Sequence, residues 1–209
     1  MPNWCNNTLN IRHEDPAMIE RAKAAFARGE FLNEFIPVPA DLHIVAGRVG
    51  DPDEQKELEI KEEINRITHG YTNWYDFCVG EWGTKWDIGA GDGNAVDQDA
   101  NGVVFNFDSA WSPPLAAYEK LIEQGFEILA YYFEPGMAFC GKWEDGCDDY
   151  YEYGGMTSEQ IADELPDDLD ETFDISGQVA EWEAEDEENI EIDLDGGLSA
   201  TNEQEAKDE

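Results

Sequence analysis

The alternation of apolar and polar positions divides the chain into short elements. In "NWCNNTLNIRH" (3–13), Leu9 and Ile11 alternate with polar neighbours, the period-2 pattern of a strand. "DPAMIERAKAAFARGE" follows with Asp15 as N-cap, Pro16 at the first helical position and Gly29 as the stop. Ala17, Ile19, Ala22 and Phe26 supply the apolar stripe of this helix. Residues 31–42 contain Pro37 and Pro39, each lacking a backbone donor, which predicts an irregular segment draping Phe35, Ile36 and Val38 over the core edge. Residues 51–70 predict an inserted, mostly wet helix capped by Asp51 with Pro52 behind it. Residues 71–83 predict a short aromatic helix capped by Asn73, with Trp74, Phe77 and Cys78 on one face and Trp82 one turn on.

"TKWDIG" (84–89) reads as a short strand, and 90–102 as a loop ending in Asn101-Gly102, a hairpin signal. "VVFNFDSAW" (103–111) turns Phe105 and Phe107 inward as a strand. A helix from Ser112 to Gly125 and a strand over 126–136 follow. Residues 137–155 suggest a hairpin turning at Asp145-Gly146, and 157–166 one short helix. From Asp167 onward hydrophobes thin out and disorder is expected, with "FDISG" and "IEIDL" as islands able to dock as strands.

With the insertion removed the order is β-α-β-β-α-β, which predicts an α+β, ferredoxin-like domain: a four-stranded antiparallel sheet with two helices on one face. The aromatic helix and the C-terminal hairpin are then the expected covers for the other face. The domain expectation is a ferredoxin-like body over 1–155 with a helical insertion at about 40–82, and an acidic, largely disordered tail over 156–209.

Charge sharpens that division. The chain of 209 residues carries a net charge of −38. Residues 1–144 hold 25 Asp and Glu against 11 Lys and Arg, whereas 145–209 hold 25 against Lys207 alone. Carboxylates this dense repel one another and oppose compaction. They also repel phosphates, which excludes direct nucleic-acid binding as the expected role. No apolar run is long enough to cross a bilayer, and "MPNWCNNTLN" has neither basic nor apolar leader character. The expectation is no membrane association and residence in a reducing cytoplasm, with Cys5, Cys78, Cys140 and Cys147 as free thiols.

Candidate chemistry centres on two tryptophan-rich stretches, "GEWGTKWD" and "FDSAWSPP". Trp4, Trp74, Trp82, Trp86 and Trp111 are expected to converge, with Lys85 stacked on an indole and Asp87 beside it. Two readings stay open: a core, or a groove whose aromatic walls take a peptide or a base. In "DQDANGVVFNFD", Asp97, Asp99, Asn101, Gly102 and Asp108 match part of a calcium-loop spacing, but no amphipathic helix precedes them and a strand pattern follows, so a hairpin turn is the reading and no metal is expected. Cysteine catalysis would need a histidine partner, for which Cys78 and His69 are the candidates. The lone glycine-rich loop "GAGDG" precedes no helix, and there is no P-loop, GxSxG or HExxH.

"MPNWCNNTLNI", "NWYDFCVGEWGTKWD", "FNFDSAWSPP" and "YYFEPGMAFCG" together resemble the YubB ferredoxin-like family of bacteriophages and conjugative plasmids, across roughly residues 1–144. The resemblance implies the ferredoxin-like fold and a mobile-element origin, and no activity. The family name refers to topology; the four cysteines here lack a cluster-binding run, and no cofactor is expected. The resulting expectation is a non-enzymatic accessory protein in the host cytoplasm that binds a basic host-protein surface, as a DNA mimic or anti-defence factor in its sharpest form. The alternative is an enzyme or small-ligand protein using an aromatic pocket around Trp86 and Lys85.

Overall fold

The structure, a computed structural model, describes residues 3–91 and 93–185. It is an α+β protein built on a six-stranded antiparallel sheet. The strands are β1 (Trp4–His13), β2 (Asn94–Asp99), β3 (Gly102–Ala110), β4 (Phe126–Glu134), β5 (Phe139–Glu144) and β6 (Cys147–Glu152), in the order β2-β3-β1-β4-β5-β6. The helices α1 (Pro16–Arg28), α2 (Phe31–Phe35), α3 (Pro52–His69), α4 (Trp74–Phe77) and α5 (Leu115–Glu123) fall between them. The chain divides into two compact units, with the boundary between Glu152 and Tyr153. No helix among the described residues is long and apolar enough to cross a membrane.

The period-2 pattern sets the core. Cys5, Asn7, Leu9 and Ile11 of β1, and Val103, Phe105 and Phe107 of β3, are buried, while the alternating positions stay half-exposed. Phe26 of α1 stacks on Phe105 with ring centroids 4.4 Å apart, and Tyr118 of α5 meets Trp143 of β5 at 5.5 Å. Fully burying one such aromatic side chain contributes about 1.5–3 kcal/mol. Local signals hold at the helix ends: Asp15 caps α1, Asp51 caps α3, and Gly29 and Gly70 end them in left-handed backbone.

Several expectations need correction. Residues 84–89 form no strand; the second strand is β2, inside the expected loop, and all six of its residues are exposed. An edge strand needs no apolar alternation, so its pattern was silent, whereas Trp86 and Ile88 alternate without a strand partner. The 31–42 segment begins as α2, five helical residues that finish before Pro37 can interfere. Ser112 caps nothing: its hydroxyl donates to the Gly83 carbonyl at 2.7 Å, and α5 starts after Pro114. The β5–β6 hairpin, turning at Asp145-Gly146 as expected, extends the sheet beside β4 rather than covering it. The aromatic helix likewise joins the helix side, where Phe77, Cys78 and Trp82 share one core with α1 and α5.

The second unit contains the short helix expected over 157–166 and is also helical from Asp167 to 185, where disorder was expected. Helices α6 (Ser158–Glu164) and α7 (Asp167–Phe173) are followed by a helical stretch over 175–185. "FDISG" spans the junction between two of these helices rather than a strand. Thr157 and Gln160 form a reciprocal capping box, and the Ser158 hydroxyl donates to Glu183 at 2.6 Å. Ile161, Leu165, Leu169 and Ile175 are buried. These buried side chains, the capping box and the Ser158–Glu183 bond accompany helix formation in spite of the charge density. "IEIDL" and the remainder of the acidic segment after 185 lie outside the described residues.

Candidate functional site: an acidic aromatic surface around Trp86

The segment that carries Trp86 is held by its backbone and by one carboxylate. Before it, α4 runs on into a single π turn, Cys78–Trp82, and Gly83 turns the chain in left-handed backbone. The Thr84 hydroxyl then donates to the Ala110 carbonyl at 3.0 Å. Further along, Ala90 N–H reaches the Phe26 carbonyl at 2.9 Å and Phe31 N–H reaches that of Ile88 at 3.3 Å. Gly89 is what permits this approach: a Cβ there would sit 2.3 Å from the Gly29 Cα.

Asp87 supplies the remaining tie. Its carboxylate accepts the backbone N–H of Leu32 at 2.6 Å, Asn33 at 3.0 Å and Ile88 at 2.8 Å, two of which are first-turn donors of α2. Burial pushes the Asp87 carboxyl above its ordinary range, and the three N–H donors oppose that shift.

Trp86 is thereby presented half-exposed between two clefts. On one side, Trp4 stands with its ring centroid 5.8 Å from that of Trp86, tilted by 38°. That cleft holds about 230 Å³, with Trp4, Trp86, Asp87, Asp108, Ser109 and Ala110 among its walls. On the other side Lys85 Nζ lies 4.6 Å from the Trp86 ring centroid and 5.7 Å from that of Tyr75, a cation–π arrangement. This second cleft holds about 320 Å³, with Trp74, Trp82, Lys85, Trp86, Asp87 and Cys78 among its walls.

The expected convergence of tryptophans therefore divides. Trp4, Trp74, Trp82, Lys85, Trp86 and Asp87 line the clefts. Trp82 is also a core residue, 3% exposed, whose indole N–H donates to the Ile36 carbonyl at 3.0 Å. Trp111 lines neither cleft; it is exposed, holds left-handed backbone at φ 73°, and bonds through its N–H to the Asn3 carbonyl at 3.0 Å.

The other candidate motifs resolve into structure. Residues 97–108 form the β2–β3 hairpin, in which Asp97 pairs with Lys23 and Asp99 with Arg12, each at 2.9 Å. Burial, reinforced by the Asp87 charge, pushes the Cys78 thiol up to about 12, so it stays protonated near neutral pH and is a poor nucleophile. His69 Nε2 lies 3.5 Å from the Asp41 carboxylate. The Glu81 carboxylate on the π turn pairs with Lys120 and accepts the Tyr71 hydroxyl, which ties α5 to this region.

One feature escaped sequence reasoning. The half-exposed face of β1 and its neighbours carries a row of cross-strand polar bonds: Asn6 to Asp108 at 2.6 Å, Thr8 to Asn106 at 3.0 Å and Asn106 to Asn94 at 2.9 Å. The signal was present as the polar alternation of Asn6, Thr8 and Asn10, which reads as plain solvent exposure until the strands are paired. Asp108 links this row to the Trp4–Trp86 cleft.

No family model matches the sequence, and no curated protein matches it. Among solved structures, the crystal structure of the protein api92 from Yersinia pseudotuberculosis, which carries the family label DUF1281, aligns with a TM-score of 0.40 at 13% identity. The alignment covers 74% of this chain and 99% of that one. A likeness at that level carries no inference about function.

Proposed function

We propose that this is a non-enzymatic binding protein, an accessory of a phage or plasmid, whose partner is a host protein presenting a basic surface. The observation that carries the reading is the acidic aromatic surface itself. Among the described residues, Asp87 and Asp108 line the exposed Trp4–Trp86 cleft with no Lys or Arg in its walls, and Lys85 is the one Lys or Arg in the walls of the second. Indole faces and carboxylates together favour Lys and Arg side chains over any anion. The net charge of −38 extends the same preference over the molecule and predicts fast, salt-sensitive association. A ferredoxin-like body is part of this proposal: the order β2-β3-β1-β4 with α1 and α5 packed against β1, β3 and β4 supports it, as does the resemblance to the YubB ferredoxin-like family. In its sharpest form, carboxylates stand in for DNA phosphates on a nucleic-acid-binding host protein.

Titration with a lysine decamer, followed by tryptophan fluorescence and calorimetry, tests the reading. Saturable binding that weakens at least about tenfold between low and moderate salt is expected. No binding at low salt overturns it. A second reading, a small ligand seated between Trp74, Trp82 and Trp86, is favoured by the three indoles that line the larger cleft. It predicts binding that is insensitive to salt.

A further inference from the structure

The sheet ends differently at its two edges. At one end, β2 is interrupted by a register shift between Asp97 and Asp99, and both carboxylates are neutralised by Lys23 and Arg12. A bulged edge of this kind resists strand pairing. At the other end, β6 keeps an unbroken register with β5 from Glu144↔Cys147 to Phe139↔Glu152. Its residues are exposed, apart from a half-buried Tyr151.

The backbone of β6 presents free bonding groups in a defined phase. The two-residue turn at Asp145-Gly146 makes Glu144 and Cys147 a hydrogen-bonded pair. Alternation then turns the N–H and C=O groups of Cys147, Asp149 and Tyr151 toward β5, and those of Asp148, Tyr150 and Glu152 away from the sheet. No described residue bonds these outward groups. Asp148 and Tyr150 also line a largely apolar cavity of about 330 Å³, with Leu115, Pro113, Tyr132 and Phe139 as its other principal walls. The Tyr132 hydroxyl donates to Asp148 Oδ1 at 2.7 Å and holds that carboxylate at the cavity wall.

Charge selects the occupant. Asp145, Asp148, Asp149 and Glu152 have no ion-pair partner among the described residues. A second copy of this edge, equally acidic, would be repelled, whereas a basic strand would be attracted. We propose that β6 is a strand-addition site for an extended basic segment of a partner protein, whose Lys or Arg side chain enters the cavity beside Asp148. The backbone of such a segment would pair with Asp148 and Tyr150, and its side chains two residues apart would fall on the cavity face. This inference rests on the reading of the protein as a binder of basic partners.

The test uses the full chain and two peptides: an eight-residue peptide alternating Arg and Val, and a fully N-methylated version with the same charge and no backbone donors. The expected result is at least tenfold weaker binding of the N-methylated peptide, with the amide protons of Asp148 and Tyr150 protected from exchange only by the unmodified one. Tyr150→Pro, which removes an outward N–H while leaving the β5 bonds in place, is expected to cost the unmodified peptide a similar factor. The peptide comparison on the unaltered protein decides the matter if that variant folds poorly. Equal affinity for the two peptides overturns strand addition and leaves the basic-partner reading standing. Binding of the lysine decamer but of neither peptide has the same meaning. Failure of the lysine decamer to bind at low salt overturns the basic-partner reading and this inference with it.

Discussion

The Asp87 carboxylate accepts the backbone N–H of Leu32 at 2.6 Å, across 55 residues of sequence. The residue after Trp86 is thus fixed to the first turn of α2, and the exposed indole inherits that position. An irregular segment is held with the precision of a helix end because its one acid doubles as a cap.

Removing that cap therefore costs stability before it costs binding. Asp87→Ala leaves three backbone donors without their acceptor and is expected to destabilise the protein by about 2 kcal/mol, read from denaturant unfolding. The pH dependence has a definite sign. Burial raises the native pKa of Asp87 above its unfolded value, so the native state holds its proton more tightly. Its contribution to stability is accordingly lost as pH rises through the window that opens above the ordinary aspartate value of 3.8. Asp87→Asn is expected to flatten stability against pH in that window; an unchanged slope would assign the dependence to other groups.

Two tryptophans four residues apart should respond in opposite ways. Trp82→Ala removes a core side chain and its bond to Ile36, for an expected loss of about 3–5 kcal/mol. Trp86→Ala, at a half-exposed wall, is expected to lower stability by less than about 1 kcal/mol and to remove most of the fluorescence response to a cationic peptide. Thermal melts and the titration together separate the core residue from the surface one.

The thiols give a direct check on burial. Cys5, Cys78 and Cys140 are buried and Cys147 is exposed, all as free cysteines. Burial pushes the Cys5 and Cys78 thiols up to about 12, which suppresses their thiolate forms. Titration with a disulfide reagent at neutral pH is expected to modify Cys147 alone within minutes, and all four cysteines after unfolding.

The turn that positions β6 depends on backbone that favours glycine. Gly146 sits at φ 82° after Asp145 at φ 51°, both left-handed. Gly146→Ala is expected to cost about 1 kcal/mol in unfolding experiments, whereas Asp145→Asn, equally at home in this turn, should be nearly neutral.

Much of the molecule is legible from local pattern, and the reasons are local. β1 alternates along its length, and β3 and β4 over their central residues, because one face of each is buried, and α1 and α3 carry their caps and stops in sequence. The Asp145-Gly146 turn is likewise written in residues whose backbone preferences need no partner, whereas the β2–β3 turn falls at Ala100-Asn101, one residue before the expected Asn101-Gly102, with Gly102 already paired to Asp99. Lys85 over an indole could be anticipated from adjacency alone.

Pairing and packing decided the rest. No pattern distinguishes β2, fully exposed, from a loop; only its bonds to β3 make it a strand. The alternation in 84–89 meets no partner and becomes the arm that carries Trp86. Whether a tryptophan serves as core or as wall is equally a tertiary matter: Trp82 is sealed by α2 and α5 neighbours, Trp86 is left between two clefts, and Trp111 stands apart from both. Local sequence determines what a segment can form at low cost. Which side of it meets another segment depends on residues dozens of positions away, and that contact, not the composition, determines which surfaces remain open to a partner.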